Sequence, residues 1–324
     1  VARIPPPVAA VRTAVRRGLA DLPADALVLV ACSGGADSLA LASATRFLRG
    51  RAGLVTVDHG LQEGSDRRAR SVAAWARGAG FDPVRIETVS VAGLPGGPEA
   101  AARTARYTAL GSAASELGAA AVLLGHTRDD QAETVLLALA RGAGPRGLAG
   151  MPARRGLLRR PMLDVARADT RKACAALGLA PWEDPHNTDP AYARSRVRAS
   201  ALPALVAALG PAVLANLART AALVAADTTA LDELAVTALE ASRSAAGLSI
   251  PSLTALSPAV RGRVLHSWAR ELGAPGGALA YKHVVAMTAL VSEWHGQGPV
   301  HLPAGIVVAR RCDDLVRVVP AHIK

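Results

Sequence analysis

The sequence predicts an α/β protein: a parallel sheet with crossover helices, followed by a smaller, mainly helical α+β domain. Three observations predict it. Four short Val/Leu/Ile-rich runs, residues 26–31, 54–58, 84–89 and 121–125, alternate with longer stretches of helical composition, the order of elements that builds a parallel sheet. The alternation stops at Leu209, Gly210 and Pro211, after which residues 213–245 read as helix with few breakers. From residue 248 the composition changes again: helical segments at 261–272 and 282–294 precede two β runs, 306–310 and 315–319, around an Asp313-Asp314 turn. The expected organisation is a first domain at 1–212, a linking helical segment at 213–247 and a small C-terminal domain at 248–324.

Size and charge narrow the function. A chain of 324 residues with 51% hydrophobic content can bury a sizeable core in two domains, which excludes a mainly disordered protein. The net charge of +11 points to a polyanionic partner, with nucleic acid the leading candidate. Only Lys172, Lys282 and Lys324 are lysines, so the basic charge is almost all Arg. Cys32, Cys174 and Cys312 are too few and too scattered for a disulfide framework, which suits a reducing cytoplasm. No apolar run is long enough for a signal core or a bilayer span, so the expectation is a soluble protein with no membrane partner, compatible with an oligomer.

The most informative residues follow the first strand. Ser33, Gly34, Gly35, Ala36, Asp37 and Ser38 form a Gly-rich turn that opens a helix, so backbone N–H groups and the helix dipole converge on one point that favours negative charge. The turn lacks the Gly-Lys-Ser/Thr ending of an ordinary P-loop and the spacing of a dinucleotide fingerprint. An acid at the mouth of an anion site calls for a divalent cation between it and the phosphates, and oxygen ligands suit magnesium. The hexapeptide resembles the SGGxDS loop of the ATP pyrophosphatases, the PP-loop enzymes, which cleave ATP between the α and β phosphates to activate an oxygen as its adenylate.

A second polar signature, Gly125-His126-Thr127-Arg128-Asp129-Asp130-Gln131-Ala132-Glu133, sits at another strand end and opens a helix that Asp129 or Asp130 is placed to cap. Asp130 and Glu133, three apart, share one helix face; such a pair can hold magnesium, or hold and deprotonate an ammonium group. A third, Asp58-His59-Gly60, ends the second strand, and all three should meet beyond the carboxyl ends of the sheet.

Residues 125–133, continued by Leu136, Leu137, Arg141, Gly142 and Gly147-Leu148-Ala149-Gly150-Met151, resemble the GHxxDDQAExxLLxLxRGxGxxGLxGM segment of the bacterial tRNA(Ile)-lysidine synthetase family. Val57-Asp58-His59-Gly60-Leu61 resembles its VDHGLR, with Gln62 in place of Arg, and residues 99–107 resemble EAAAREARY, with Thr104 in place of Glu. Arg160-Pro161-Met162-Leu163, residues 182–187, and Arg194, Arg196 and Arg198 continue in the family's order, so the resemblance spans about residues 28–203.

The resemblance implies an adenine nucleotide α-hydrolase-like fold and a two-step reaction. ATP adenylates the carbonyl oxygen at carbon two of the wobble cytosine in an isoleucine tRNA with a CAU anticodon. The side-chain amine of free L-lysine then displaces AMP. The residues suit this chemistry. Loop amides at residues 34–38, with magnesium near Asp37, would absorb the charge of pyrophosphate. Lysine, with a reference pKa of about 10.4, needs on the order of 5 kcal/mol for deprotonation at neutral pH, a load assigned to Asp130 and Glu133. Ser33, Gly34, Gly35, Ala36, Asp37, Ser38, Asp58, His59, Gly125 and His126 are the expected nucleotide contacts. Asp37, Asp130, Glu133, Arg103 and Arg106 are the expected catalytic group, the two arginines facing phosphates, adenylate or the tRNA backbone. Arg194, Arg196 and Arg198 are candidate backbone-phosphate contacts. Trp182, Trp268 and Trp294 are expected in the core.

Two other readings are open to a PP-loop chain. A tRNA thiolase needs thiolates or an iron–sulfur cluster, hence clustered cysteines, which this chain lacks. A non-catalytic tRNA-binding protein has no use for Ser33 to Ser38, Asp130 and Glu133 together.

Overall fold

The computed structural model describes residues 3–58, 60, 64–90, 97–183 and 189–318. The chain forms two compact units, Val1–Ala225 and Ala226–Lys324.

The first unit is built on a six-stranded sheet of order β3-β2-β1-β4-β6-β5: β1 Val28–Ala31, β2 Ala52–Asp58, β3 Val84–Thr88, β4 Ala121–Leu124, β5 Arg154–Arg155 and β6 Leu158–Arg159. The first four strands and β6 run parallel, and β5 closes the edge as an antiparallel partner of β6. The four expected strands are present, with ends moved by two residues or fewer. Side chains alternate across β1, so Val28 and Val30 enter one core cluster and Leu29 the other. Helices α1 Pro6–Gly18, α2 Ala36–Leu48, α3 Ser65–Gly78 and, later in sequence, α7 Arg167–Ala176 contribute to the first cluster. The helix α4 Gly97–Glu116 contributes Leu110, Ala113 and Ala114 to the second. Burial on both faces explains why β1, β2 and β4 read as apolar runs, whereas β3, at the sheet edge, alternates Val84 and Ile86 with Arg85 and Glu87.

Between β4 and α7 lie α5 Arg128–Ala140 and the short α6 Pro145–Leu148. The crossover through α2 leads from β1 to β2, and β4 pairs with the opposite edge of β1, so strand order reverses between β1 and β4. That reversal opens a crevice at the carboxyl ends of both strands. Beyond α7, α8 Ala193–Arg196 passes through a π-helical turn, Val197–Ala201, into α9 Leu202–Leu209.

The long helix α10, Val213–Ala241, contains the division between the units. The second unit continues with β7 Gly247–Ser249, α11 Ile250–Ala255, α12 Pro258–Glu271, α13 Tyr281–Ser292, β8 Val300–Leu302, β9 Ile306–Arg311 and β10 Asp314–Val318. Its antiparallel sheet has the order β7-β10-β9-β8, so the expected hairpin is its centre and two short strands are added at its edges. Leu248, Leu253, Leu265, Met287, Leu290 and Leu315 fill a separate core. Among the described residues no single helix is long and apolar enough to cross a bilayer.

The tryptophans need correction. Trp268 is buried in the second core, but Trp294 is 42% exposed and Trp182 only half-buried. The Arg310 and Arg68 guanidiniums lie 5.5 and 3.9 Å from the centroids of Trp294 and Trp182, so each ring makes a cation–π contact.

Candidate active site

The loop after β1 is shaped by its two glycines and braced by its two serines. Gly34 takes φ +85°, and a Cβ there would stand 2.9 Å from a methyl of Val72 on α3, so both conformation and space require glycine. Ser38 Oγ donates to the Gly35 carbonyl at 2.9 Å, accepts the Ser33 N–H at 3.3 Å and lies 3.4 Å from Ser33 Oγ. Gly35 is the N-cap of α2, and no side chain caps the helix. The first-turn N–H groups from Ala36 onward therefore point into the crevice as anion donors.

Asp37, in that first turn, accepts a hydrogen bond from Thr170 of α7 and lies 3.6 Å from Arg167 Nε. Burial pushes its pKa up, opposed by Thr170 and Arg167, so the site favours an added cation. Magnesium commonly keeps several waters and takes one or two protein carboxylates plus substrate phosphates. A single aspartate beside an uncapped helix end fits that habit, and the described residues hold no cluster of three or more potential metal ligands.

The strand beside it, β4, delivers the second loop. Gly125 packs on α2: a Cβ there would lie 3.1 Å from Ser38 N and 3.2 Å from the Asp37 carbonyl carbon, so only glycine lets the two loops touch. Thr127 is the N-cap of α5; its N–H and hydroxyl both donate to the Asp130 carboxylate at 2.8 Å. Asp129 instead accepts the Arg167 N–H at 2.8 Å and so caps the start of α7. The Gln131 amide exchanges hydrogen bonds of 2.8 and 3.1 Å with the Met151 backbone, which fixes the Gly147 to Met151 segment against α5.

Asp130 and Glu133 lie together on α5, Glu133 fully buried, and both are taken up by arginines. Arg167 reaches Asp130 at 2.6 Å and Glu133 at 3.0 Å, while Arg198, on the π-helical turn, reaches Glu133 at 2.8 and 3.1 Å and Asp130 at 3.4 Å. Burial works against ionisation of Asp130, but Arg167 and the Thr127 bonds outweigh it and hold its pKa below the usual carboxylate value. The arginines at 194, 196 and 198 therefore divide. Arg198 serves the acids, Arg194 lies 3.4 Å from Thr134, and Arg196 donates to the Pro190 and Ala191 carbonyls.

Basic groups gather around Tyr107. The Arg103 and Arg106 guanidiniums lie 5.0 and 5.4 Å from its ring centroid, and Arg160 donates to its hydroxyl at 3.3 Å. Nε of Arg106, Nε of Arg160 and Nδ1 of His126 are buried without a hydrogen-bond partner among the described residues. Burial pushes the His126 pKa down to about 3 against the pull of Asp130, so its ring is neutral. Asp58, at the end of β2, accepts the Gly60 N–H at 3.0 Å. His59 lies outside the described residues.

Sequence reading missed Arg167, Thr170 and the part Arg198 plays. A lone Arg at a helix start carries no local signal, and its partners lie 34 or more residues away.

With this geometry in place, comparison with known proteins is decisive. The PP-loop domain family matches residues 10–205, and the TilS substrate binding domain matches residues 248–316. A protein named tRNA(Ile)-lysidine synthase from Salinispora tropica is 65% identical over 99% of both chains. Its namesake from Thermobifida fusca is 57% identical over 97% of this chain and 98% of its own. The chain belongs to the tRNA(Ile)-lysidine synthase family. Among solved structures, the U34-tRNA thiolase NcsA from Methanococcus maripaludis, determined with its 4Fe-4S cluster, superposes with a TM-score of 0.54 at 17% identity. It covers 66% of this chain and 78% of that one, a likeness of fold alone. The PP-loop fold and family expected from residues 28–203 thus hold, and the family likeness extends through the C-terminal unit.

Proposed function

We propose that this chain ligates free L-lysine to carbon two of the wobble cytidine of an isoleucine tRNA with a CAU anticodon, consuming ATP and releasing AMP and pyrophosphate. Family membership supports a tRNA-modifying ligase that uses ATP. The observation that supports the residue assignments is the adjacency of Asp37 to Asp130 and Glu133, linked through the single Arg167 guanidinium.

In the first step the wobble-base oxygen attacks the α phosphorus, and pyrophosphate leaves toward the uncapped start of α2, whose N–H groups accept its charge. Magnesium held at Asp37 would neutralise phosphate charge there. Arg103, Arg106 and Arg160, unpaired with any carboxylate among the described residues, offer a counter-charge for the phosphates or the tRNA backbone. The neutral His126 ring adds a hydrogen-bonding group beside them.

In the second step the lysine ammonium docks at Asp130 and Glu133, gives up a proton to one of them, and the free amine attacks carbon two as AMP departs. Asp130 and Glu133 are matched by Arg167 and Arg198, so an ammonium that docks there does so by displacing one arginine contact. A cytoplasmic setting fits the free cysteines, of which Cys32 and Cys174 are buried.

The experiment is mass analysis of the anticodon nucleoside after incubation with a CAU-anticodon tRNA, ATP, magnesium and lysine. A lysine-sized adduct on cytidine is expected; a sulfur-sized change or none overturns the assignment.

A further inference from the structure

We infer that Arg167 is a positioning residue, one that holds the amine-side acids in register with the nucleotide loop and itself touches neither substrate. The inference rests on the reading that Asp130 and Glu133 receive the lysine amine.

Three features set Arg167 apart from Arg198. First, its guanidinium spans two elements: Nε lies 3.6 Å from Asp37 on α2, while its two terminal nitrogens contact Asp130 at 2.6 Å and Glu133 at 3.0 Å on α5. Arg198 hydrogen-bonds Glu133 and Asp130 of α5. Second, its backbone is fastened on both sides. Its N–H donates to Asp129, and its carbonyl and the Asp37 carboxylate share the one hydroxyl proton of Thr170, whose Oγ1 lies 2.8 Å from that carbonyl. The Arg128 N–H adds a 2.9 Å bond to the Val165 carbonyl just before α7. Third, the Arg167 side chain is 16% exposed against 31% for Arg198, which stands on a π-helical turn.

The planar guanidinium supplies donors in a fixed fork, so a single side chain orients Asp130 and Glu133 through hydrogen bonds while its charge stands 3.6 Å from Asp37. A Lys ammonium carries the same charge on a compact head and cannot hold all three at once. Arg167 is thus a rigid crosslink between the half-site for adenylation and the half-site for amine attack. An incoming ammonium that competes for Asp130 and Glu133 meets Arg198 as the more exposed partner, while the Arg167 backbone stays held on α7 by Asp129.

The test uses the full-length protein with tRNA, ATP, magnesium and lysine, comparing Arg167→Lys, Arg167→Gln and Glu133→Gln. For Arg167→Lys the expected result is a split: kcat for lysidine formation falls roughly a hundredfold, the loss typical of a small misplacement of reacting groups, while the lysine KM stays within about threefold or falls. Added guanidinium ion should restore part of kcat in Arg167→Gln and leave the wild type unchanged. Circular dichroism melting checks the fold; if Arg167→Gln unfolds, the Arg167→Lys result alone decides. A lysine KM raised tenfold or more would make Arg167 a substrate-binding group, and wild-type kcat in Arg167→Lys would leave it no role; either overturns the inference. Glu133→Gln separates the two levels. If it leaves lysine capture at the wild-type rate, the reading of the acids fails; if it slows capture while Arg167→Lys behaves as wild type, only the positioning role fails.

Discussion

The nucleotide loop and the carboxylate pair lie side by side in the crevice and are built on opposite plans. The loop is a contiguous run whose donors are backbone N–H groups, braced by Ser33 and Ser38 through bonds spanning three to five residues. The pair on α5 works through side chains, and its arginine partners come from 34 to 68 residues further along the chain. A backbone-built site depends on conformation, which glycine placement enforces. A side-chain site depends on charge balance, which distant elements set. Mutations should therefore separate the two half-sites by the kind of damage they do.

The largest effect is expected at Asp37, where charge and loop meet. Asp37→Asn should slow adenylation and pyrophosphate release by at least roughly a hundredfold, about 2.7 kcal/mol in the barrier, with melting behaviour near wild type. Unchanged pyrophosphate release would remove Asp37 from the first step. Next comes the backbone. Gly34→Ala should cost about 1 to 2 kcal/mol of stability for the positive φ alone, with more from the Val72 contact, and thermal melting should report it. A variant as stable as wild type would show that the turn relaxes. The smallest effect belongs to Ser33→Ala, which removes one hydroxyl 3.4 Å from Ser38 Oγ and leaves the Ser33 N–H bond in place. ATP turnover should drop less than in Asp37→Asn; equal losses would contradict a backbone-built loop.

The same contrast explains what the sequence made legible. The four strands and the two loops that follow β1 and β4 were readable, because buried parallel strands are locally apolar and phosphate-binding turns need glycine at fixed places. The Gln131 to Met151 pairing is the physical basis of part of the motif that carried the family resemblance. Arg167 was invisible, since nothing local distinguishes an arginine that joins three carboxylates from one on a solvated helix start. Arg198 was read as a phosphate contact because a basic stretch shows its charge and not its partner. Trp182 and Trp294 were expected in the core because sequence shows a large apolar ring but not the arginine that covers it.

The central claim is that the nucleotide half and the amine half of the crevice act in separate steps. Single-turnover analysis of Glu133→Gln with labelled ATP, tRNA and lysine tests it most directly. Adenylated tRNA should form at the wild-type rate and accumulate, lysine should capture it slowly, and raising the pH should restore part of the rate as more lysine arrives as the free amine. Loss of adenylate formation itself, with no recovery at high pH, would contradict the account and assign Glu133 to the nucleotide half.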